Sequence, residues 1–259
     1  MTAFKVWGYH HSNSELLETG FASTARHCRD YIRQGRNREA EAQTRLAAIN
    51  LAALFESRLM ELIFHDDSAA YAYRQSILGC RTVSEMWRKL VDEGFAQLEG
   101  IRLGLVPTGL KTSNKARHAE ILKAIDDHVV PLIELRNALA HGGWIFTLAD
   151  NRQTVSQVKM QHLRTTSLWH IQVQHNLFSH LYRAIYDLLI AHSFERDFDK
   201  HFDNLHAAAT RLKKDGSKKW EAMLRRRWQR RPARVSGTGA PPVELALSPQ
   251  KLVNDNLSP

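Results

Sequence analysis

The sequence has few cysteines and no apolar run long enough to span a membrane. Its two cysteines, Cys28 and Cys80, cannot form a CxxC pair or a multi-ligand metal cluster, so we expect reduced thiols. The most apolar stretch, residues 177–194, contains Arg183 and Asp187, which excludes a transmembrane helix. The first residues lack the apolar core of a signal peptide. These absences predict a cytoplasmic protein without a membrane partner.

Common catalytic motifs are also missing. The sequence contains neither an HExxH zinc motif nor a GxSxG nucleophile motif. Residues 104–112 resemble a phosphate-binding loop, but one extra residue precedes the lysine and no apolar strand comes before it, so we interpret them as an ordinary loop. His170, His175 and His180 are spaced by five and do not share a helix face. We therefore expect neither a metal ion nor a cofactor.

Positive charge is concentrated in one segment. The 259 residues carry a formal net charge of +9, and the Lys and Arg residues between Arg211 and Arg234 account for all of it. Such a segment favours a polyanion partner such as RNA, because phosphates release counterions when cations neutralise them. Interleaved tryptophans offer stacking surfaces for bases. The predicted RNA-binding residues are Arg211, Lys213, Lys214, Lys218, Lys219, Trp220, Arg225, Arg226, Arg227, Trp228, Arg230 and Arg231. The alternative is a solvated helix face.

Hydrophobic periodicity predicts that most of the chain is helical. Apolar residues recur every three or four positions in several segments, which is the spacing of one helix face. Thr82 or Ser84 is expected to cap one helix, and Gly142 with Gly143 to end another that begins at Pro131. The predicted helices cover residues 39–64, 82–95, 115–130, 131–141 and 177–194, with a loop over residues 100–113.

A small β-hairpin is predicted over residues 144–160, because residues 144–148 alternate and Asp150-Asn151 precedes a second run over residues 154–160. The expected fold is therefore mainly α, a helical bundle with a small β-hairpin insertion and a basic C-terminal extension. The predicted divisions are an N-terminal helical segment (1–35), a helical domain (36–195), the basic helical extension (196–235) and a disordered tail rich in turn formers (236–259).

One helix carries the string LIELRNALAHGG at residues 132–143, in which Arg136, the polar Asn137 and His141 lie in an apolar helix closed by glycines. The string resembles the signature of the HEPN superfamily, helical domains of ribonuclease toxins, abortive-infection proteins and CRISPR-associated RNA-cutting effectors. That signature is an arginine, four to six residues and a histidine, often with a polar residue directly after the arginine. The resemblance covers residues 36–194 and implies a HEPN-like helical bundle.

The spacing alone carries little information, since about as many such pairs are expected by chance. Three other arginine–histidine pairs have this spacing: Arg58/His65, Arg164/His170 and Arg196/His201. Only Arg136/His141 lies on a helix with an apolar ridge, formed by Leu132, Leu135 and Leu139. An acidic–basic pair found in an early helix of some HEPN families is matched only loosely, by Glu41 and Arg45.

The resemblance implies a metal-independent endoribonuclease, a toxin or antiviral effector with an antitoxin or effector protein as a further partner. His141 would exchange protons with the 2′-hydroxyl or the departing 5′-oxygen, because histidine titrates near neutral pH. Arg136 would stabilise charge on the phosphate, and Asn137 would orient the imidazole or the phosphate.

The resemblance also implies a homodimer. At about 100° per residue, Arg136 and His141 lie about 140° apart around the helix, so either Arg136 reaches around or a second copy completes the site, and HEPN proteins usually dimerise. Two alternatives remain: a non-catalytic HEPN-like module that binds RNA, nucleotide or a protein, and a nucleic-acid-binding regulator in which only the basic segment matters. In both, Arg136 has a structural role, for example in an ion pair with Glu134 or Asp127.

Overall fold

A computed structural model describes residues 3–147, 154–191 and 193–230 of the chain, and it is built from α-helices. In chain order these are α1 (Ala3–Gln34), α2 (Asn37–Phe64), α3 (Arg74–Leu78), α4 (Val83–Glu99), α5 (Thr112–Ala124), α6 (Val130–Ala140), α7 (Gln157–Thr165), α8 (Leu168–Tyr186), α9 (Phe194–Lys214) and α10 (Ser217–Gln229). Short 3-10 turns cover Tyr71–Tyr73 and Leu103–Leu105, and π-helical turns cover Ile125–Val129 and Asp187–Ala191. These residues contain no extended strand, which confirms the mainly α class.

Local signals set several helix ends where the sequence predicts them. The Thr82 hydroxyl accepts from the backbone N–H of Glu85, and the Glu85 carboxylate accepts from the backbone N–H of Thr82, a reciprocal cap at the start of α4. Pro131 lies in the first turn of α6, directly after the π-turn Ile125–Val129. Gly142 follows that helix with a φ of 84°, a conformation that glycine adopts without steric strain.

Two pairs of long helices form most of the bundle. α1 packs along α2 in an antiparallel pair, in which the Ser14 hydroxyl donates to the Ser57 hydroxyl at 2.9 Å and the Cys28 thiol lies 3.4 Å from the Thr44 hydroxyl. α8 packs along α9, and α6 and α8 both lie against α2. Stacked rings mark the centre of the core, with centroids of Phe55 and Trp87 4.4 Å apart.

The core is continuous from the first described helix to the last. Phe21 of α1 and Leu224 of α10 are both buried in it, each about 5% exposed. α10 packs against α1 and α8. The predicted N-terminal segment and basic extension therefore share one core with the helices between them. Within the described part, no helix has the length and apolar character to cross a membrane.

The predicted β-hairpin is wrong over residues 157–160, which begin α7. The Ser156 hydroxyl accepts from the Lys159 backbone N–H and caps this helix, and Met160 is buried against the bundle. The run over residues 154–160 that predicted the second strand also fits the start of a short helix, and the capping serine favours the helix. Residues 148–153, with the predicted turn at Asp150 and Asn151, lie outside the described residues.

Two predicted helix boundaries also differ. The helices predicted over residues 115–130 and 131–141 form one continuous rod, in which the π-turn Ile125–Val129 joins α5 to α6 without a break. The helix predicted over residues 177–194 begins earlier, at Leu168, and Phe194 belongs to the following helix. The predicted tail, residues 236–259, lies outside the described residues.

Candidate functional site

The helix α6 turns its apolar ridge into the bundle. Leu132, Leu135 and Leu139 are buried, and α6 packs against α2 and α7. The three leucines recur at the spacing of one helix face, so the sequence fixes which side of α6 is covered. The other side carries the candidate residues towards the surface.

Arg136 lies at the edge of the buried ridge and turns towards α2. Its guanidinium Nη2 donates to the Glu56 carboxylate, and each of the two side chains is 27% exposed. The alternative prediction was an ion pair of Arg136 with Glu134 or Asp127. Arg136 does form an ion pair, but its partner is Glu56. The Nε of Arg136 is buried and has no hydrogen-bond acceptor among the described residues.

Asn137 and His141 are exposed at the end of α6. The His141 backbone N–H donates to the Asn137 carbonyl at 3.1 Å and closes the last turn. Residues four apart share a helix face, so the amide and the imidazole lie on the same side of α6. Nowhere in the described ranges does a hydrogen bond or ion pair join His141 to Arg136, as the angle between them around the helix predicts.

An exposed apolar surface continues from the end of α6 into α7. Ile145 is 67% exposed, Phe146 60%, Val155 42% and Val158 81%. The Ser156 N–H donates to the Thr147 carbonyl at 2.9 Å, which brings the two chain segments together. Ala138 of α6 and Val158 of α7 line the same small cleft. We call these four side chains the α6–α7 apolar surface; clusters of this kind mark interaction sites in many proteins.

The pair Arg196/His201 has the same spacing on α9 but a different environment. Arg196 is exposed and pairs with its neighbour Asp197 at 2.6 Å. His201 is buried, and its Nε2 lies 3.1 Å from Oδ2 of Asp187 in the π-turn after α8. This histidine holds α9 against α8 and is inaccessible to a large substrate.

One member of each of the other two pairs, Arg58 and His170, also has a structural role. The Arg58 Nη1 donates to the buried carboxylate of Glu61 at 2.8 Å, and the Tyr182 hydroxyl donates to the same oxygen at 3.2 Å. Burial raises the pKa of Tyr182, and the Glu61 charge raises it further. His170 accepts from the Ser167 backbone N–H in the cap of α8. These contacts join α2 to α8 and shape the start of α8.

Glu56 and Glu61 are the residues that the sequence analysis missed. Both are carboxylates in the otherwise apolar second half of α2, and each binds an arginine. An acidic residue on the apolar face of a long helix is a usable signal, because a buried carboxylate needs a partner. The identity of that partner depends on tertiary packing.

One side of the helix α10 packs against the bundle, and the other side carries positively charged side chains. Leu224 is buried, Trp220 is half-buried against the core, and the Arg225 Nη2 donates to the Asn37 side-chain oxygen at 3.1 Å. Trp228 is 37% exposed. The exposed cations of this region are Arg211, Lys213, Lys214, Lys218, Lys219, Arg226, Arg227 and Arg230, and we call them the α9–α10 basic surface. Arg231 lies outside the described residues.

Two histidines beside α6 have lowered pKa values. Burial lowers the pKa of His128, in the π-turn before α6, while the charge of Asp127 raises it and that of Lys213 lowers it. Burial likewise lowers the pKa of His162 in α7, while the charge of Glu134 of α6 raises it. Burial is the main cause at both positions.

Comparison with known proteins gives no assignment: no protein-family profile, no curated protein and no solved structure matches the chain. Across the described ranges, no three or more His, Cys, Asp or Glu side chains are grouped to bind a metal ion.

Proposed function

We propose that the chain is a metal-independent, homodimeric endoribonuclease of the HEPN type, with its active site at the end of α6. The observation that supports this most directly is the exposed His141, which shares a face of α6 with Asn137 and lies next to an exposed apolar surface. A histidine at such a position is accessible to a phosphodiester and to a second protein chain. A toxin or antiviral role is the biological setting that the resemblance implies.

Each of the three side chains has its own role in the proposed cleavage reaction. His141 takes the proton from the attacking 2′-hydroxyl or supplies one to the 5′-oxygen, in two steps that need opposite protonation states near neutral pH. Arg136 donates to the charged phosphate oxygens with the N–H groups that Glu56 does not occupy. Asn137 donates its amide to the phosphate or holds the imidazole in orientation.

A second copy of the chain completes this site. Arg136 turns towards α2, whereas His141 is exposed at the helix end, so one chain alone does not bring the two groups together. A symmetric dimer through the α6–α7 apolar surface covers Phe146 and Val158 and places the two helix ends side by side. The imidazole of one protomer then lies beside the guanidinium of its partner.

The α9–α10 basic surface supplies affinity for RNA in this proposal. Its exposed cations lie at the end of α9 and on α10, whereas the rest of the chain carries no net charge. Phosphate contacts of this kind hold any RNA sequence and weaken as salt is added.

A second candidate function is RNA binding without cleavage. The ion pair of Arg136 with Glu56 favours it, since this pair gives the arginine a structural role. In that case α6 is part of the scaffold and the α9–α10 basic surface carries the activity. Cleavage assays separate the two candidates.

The decisive experiment is incubation of the purified chain with mixed RNA in EDTA, beside the variant His141→Ala. We expect products with a 2′,3′-cyclic phosphate and a 5′-hydroxyl, and a loss of about 100-fold or more in His141→Ala, because general acid–base catalysis contributes about 10²–10⁴-fold. His27→Ala, at an exposed histidine of α1, is the matched control and retains activity. Binding of RNA without cleavage, or equal activity in both variants, selects the second candidate.

The dimer is tested with Phe146→Glu, which places a charge in the α6–α7 apolar surface. We expect light scattering to show a monomer that binds RNA but cleaves it poorly, because the site lacks its second half. Leu16→Glu, at a leucine of α1 that is 73% exposed, is the control and keeps the dimer. A fully active monomer at nanomolar concentration contradicts the shared site.

A further inference from the structure

A polar cavity of about 420 Å³ lies on the side of α6 that carries its leucines, and the proposed RNA chemistry does not use it. Leu135 and Leu139 form part of its wall. Three arginines from three different helices also line it: Arg45 of α2, Arg164 of α7 and Arg225 of α10. Segments that are far apart in the sequence thus bring three guanidinium groups to one cavity.

The hydrogen-bonding capacity of these arginines is incompletely used. The Nε atoms of Arg45 and Arg225 are buried and have no acceptor among the described residues, although the side chain of Arg45 is only 13% exposed. Arg164 is exposed and makes no hydrogen bond or ion pair within the described ranges. Buried donors normally have a partner, so these groups indicate room for an acceptor that the described residues do not supply.

The charges around the cavity favour an anion. Glu41 forms an ion pair with Arg45, and the Glu221 carboxylate lies 3.9 Å from the Arg225 guanidinium. These two carboxylates compensate two of the three arginines, and the charge of Arg164 remains uncompensated. Guanidinium groups bind carboxylates and phosphates through pairs of parallel hydrogen bonds.

The shape of the arginine set distinguishes between those two anions. The lining arginines belong to three helices, and a phosphate group carries three strong acceptor oxygens that can bind donors from different directions. A carboxylate has only two oxygens, which lie in one plane. The cavity volume falls within the range of about 300–1,000 Å³ that is typical of small-molecule sites.

We propose that this cavity binds a small molecule bearing a phosphate group, held by Arg45, Arg164 and Arg225. The bound phosphate bridges α2, α7 and α10 and fixes the basic helix α10 on the bundle. The site is separate from His141 and does not depend on RNA cleavage.

Isothermal titration of the full chain with inorganic phosphate, AMP, adenosine and citrate tests the proposal. We expect phosphate and AMP to compete for one site and adenosine and citrate not to bind. Arg164→Gln and Arg45→Gln should each weaken AMP binding about tenfold or more, the usual effect of losing a charge-assisted hydrogen bond. Arg226→Gln, one residue from Arg225 but outside the cavity lining, is the control and should change affinity less than about twofold.

Two further measurements exclude a purely structural role. Glu41→Gln removes the carboxylate that competes for Arg45, so it should strengthen AMP binding, an effect that damage to the fold does not produce. Arg164 makes no hydrogen bond or ion pair with another described residue, so Arg164→Gln should keep the melting temperature and decides the question if Arg45→Gln fails to fold. The proposal is overturned if neither phosphate nor AMP binds, if citrate binds equally well, or if Arg164→Gln leaves AMP affinity unchanged. Displacement of AMP by RNA without a terminal phosphate overturns it too, since the cavity then belongs to an RNA groove.

Discussion

The two Arg-x4-His pairs on α6 and α9 have the same spacing and opposite environments. On α6 the arginine is half-buried against Glu56 and the histidine is exposed, whereas on α9 the arginine is exposed and the histidine is buried against Asp187. Each arginine is followed by a polar residue. The pattern of residue types therefore does not distinguish the two sites, and the way each helix is rotated against the core does.

This contrast shows what makes a histidine available for chemistry. His201 lies on the covered side of α9 with Phe198 and Leu205, so its imidazole contacts a carboxylate of the same chain. His141 ends α6 beyond the covered leucines, and its side chain is exposed among the described residues. A buried imidazole serves the fold, whereas an exposed one is accessible to a substrate.

Removing the two histidines gives the largest expected difference between the sites. His201→Ala leaves the Asp187 carboxylate, 14% exposed, without its partner and should lower the free energy of unfolding by about 2 kcal/mol. His141→Ala should leave stability unchanged while abolishing RNA cleavage. Denaturation in urea measures the first effect. If His141→Ala destabilises the chain as much as His201→Ala, His141 is a packing residue and the proposed site is wrong.

The two arginines provide a smaller contrast of the same kind. Arg136→Gln should lower the free energy of unfolding by about 1 kcal/mol, because the half-buried Glu56 carboxylate then lacks its cation. Arg196→Gln, at an exposed position, should leave stability unchanged. Adding Glu56→Gln to Arg136→Gln should restore stability without restoring cleavage. Recovery of both properties in the double variant contradicts a direct role of Arg136 in chemistry.

The smallest expected effect is on the pH dependence of the free energy of unfolding, through His180, whose ring lies beside that of His201. Burial lowers the pKa of His180, and the neighbouring His201 lowers it further, so in acid the unfolded chain takes up a proton that the folded chain does not. The free energy of unfolding should therefore keep its full value above about pH 6.5 and decrease as the pH drops below that value. His180→Asn should flatten this slope between pH 7.5 and 5.5, and His27→Asn, at an exposed site, should not. An equal slope in wild type and His180→Asn contradicts the assignment.

The sequence predicts the parts of the fold that local chemistry controls. The cap at Thr82, the proline in the first turn of α6 and the glycine after it act within a few residues of their own position. The predicted hairpin is wrong over residues 157–160 because a short run of apolar residues fits the start of a helix as well as a strand. A longer apolar pattern, as in α2, has no such ambiguity.

Partners across the fold are what the sequence does not predict. Arg136 and Glu56 are 80 positions apart, and Glu134 and Asp127 are equally plausible partners when only neighbouring residues are considered. The cavity arginines come from α2, α7 and α10, and no pattern along the chain relates them. The exposure of His141 follows in part from the leucine ridge, but its apolar neighbours Phe146 and Val158 become one surface only through tertiary structure.

The π-turn Ile125–Val129 has a consequence for any insertion or deletion in this rod. It places a wider turn between α5 and α6, which changes the angular phase of the second helix relative to the first. Regular α-helix over the same five residues would instead advance α6 by roughly one residue's rotation, about 100°, about its axis. The leucine ridge would then turn away from α2, whereas loss of one residue, at Asp126 for example, would restore both a regular α-helix and the direction of the ridge. The direction in which His141 points is thus set more than ten residues before it, by the length of a segment that contains none of the candidate site residues.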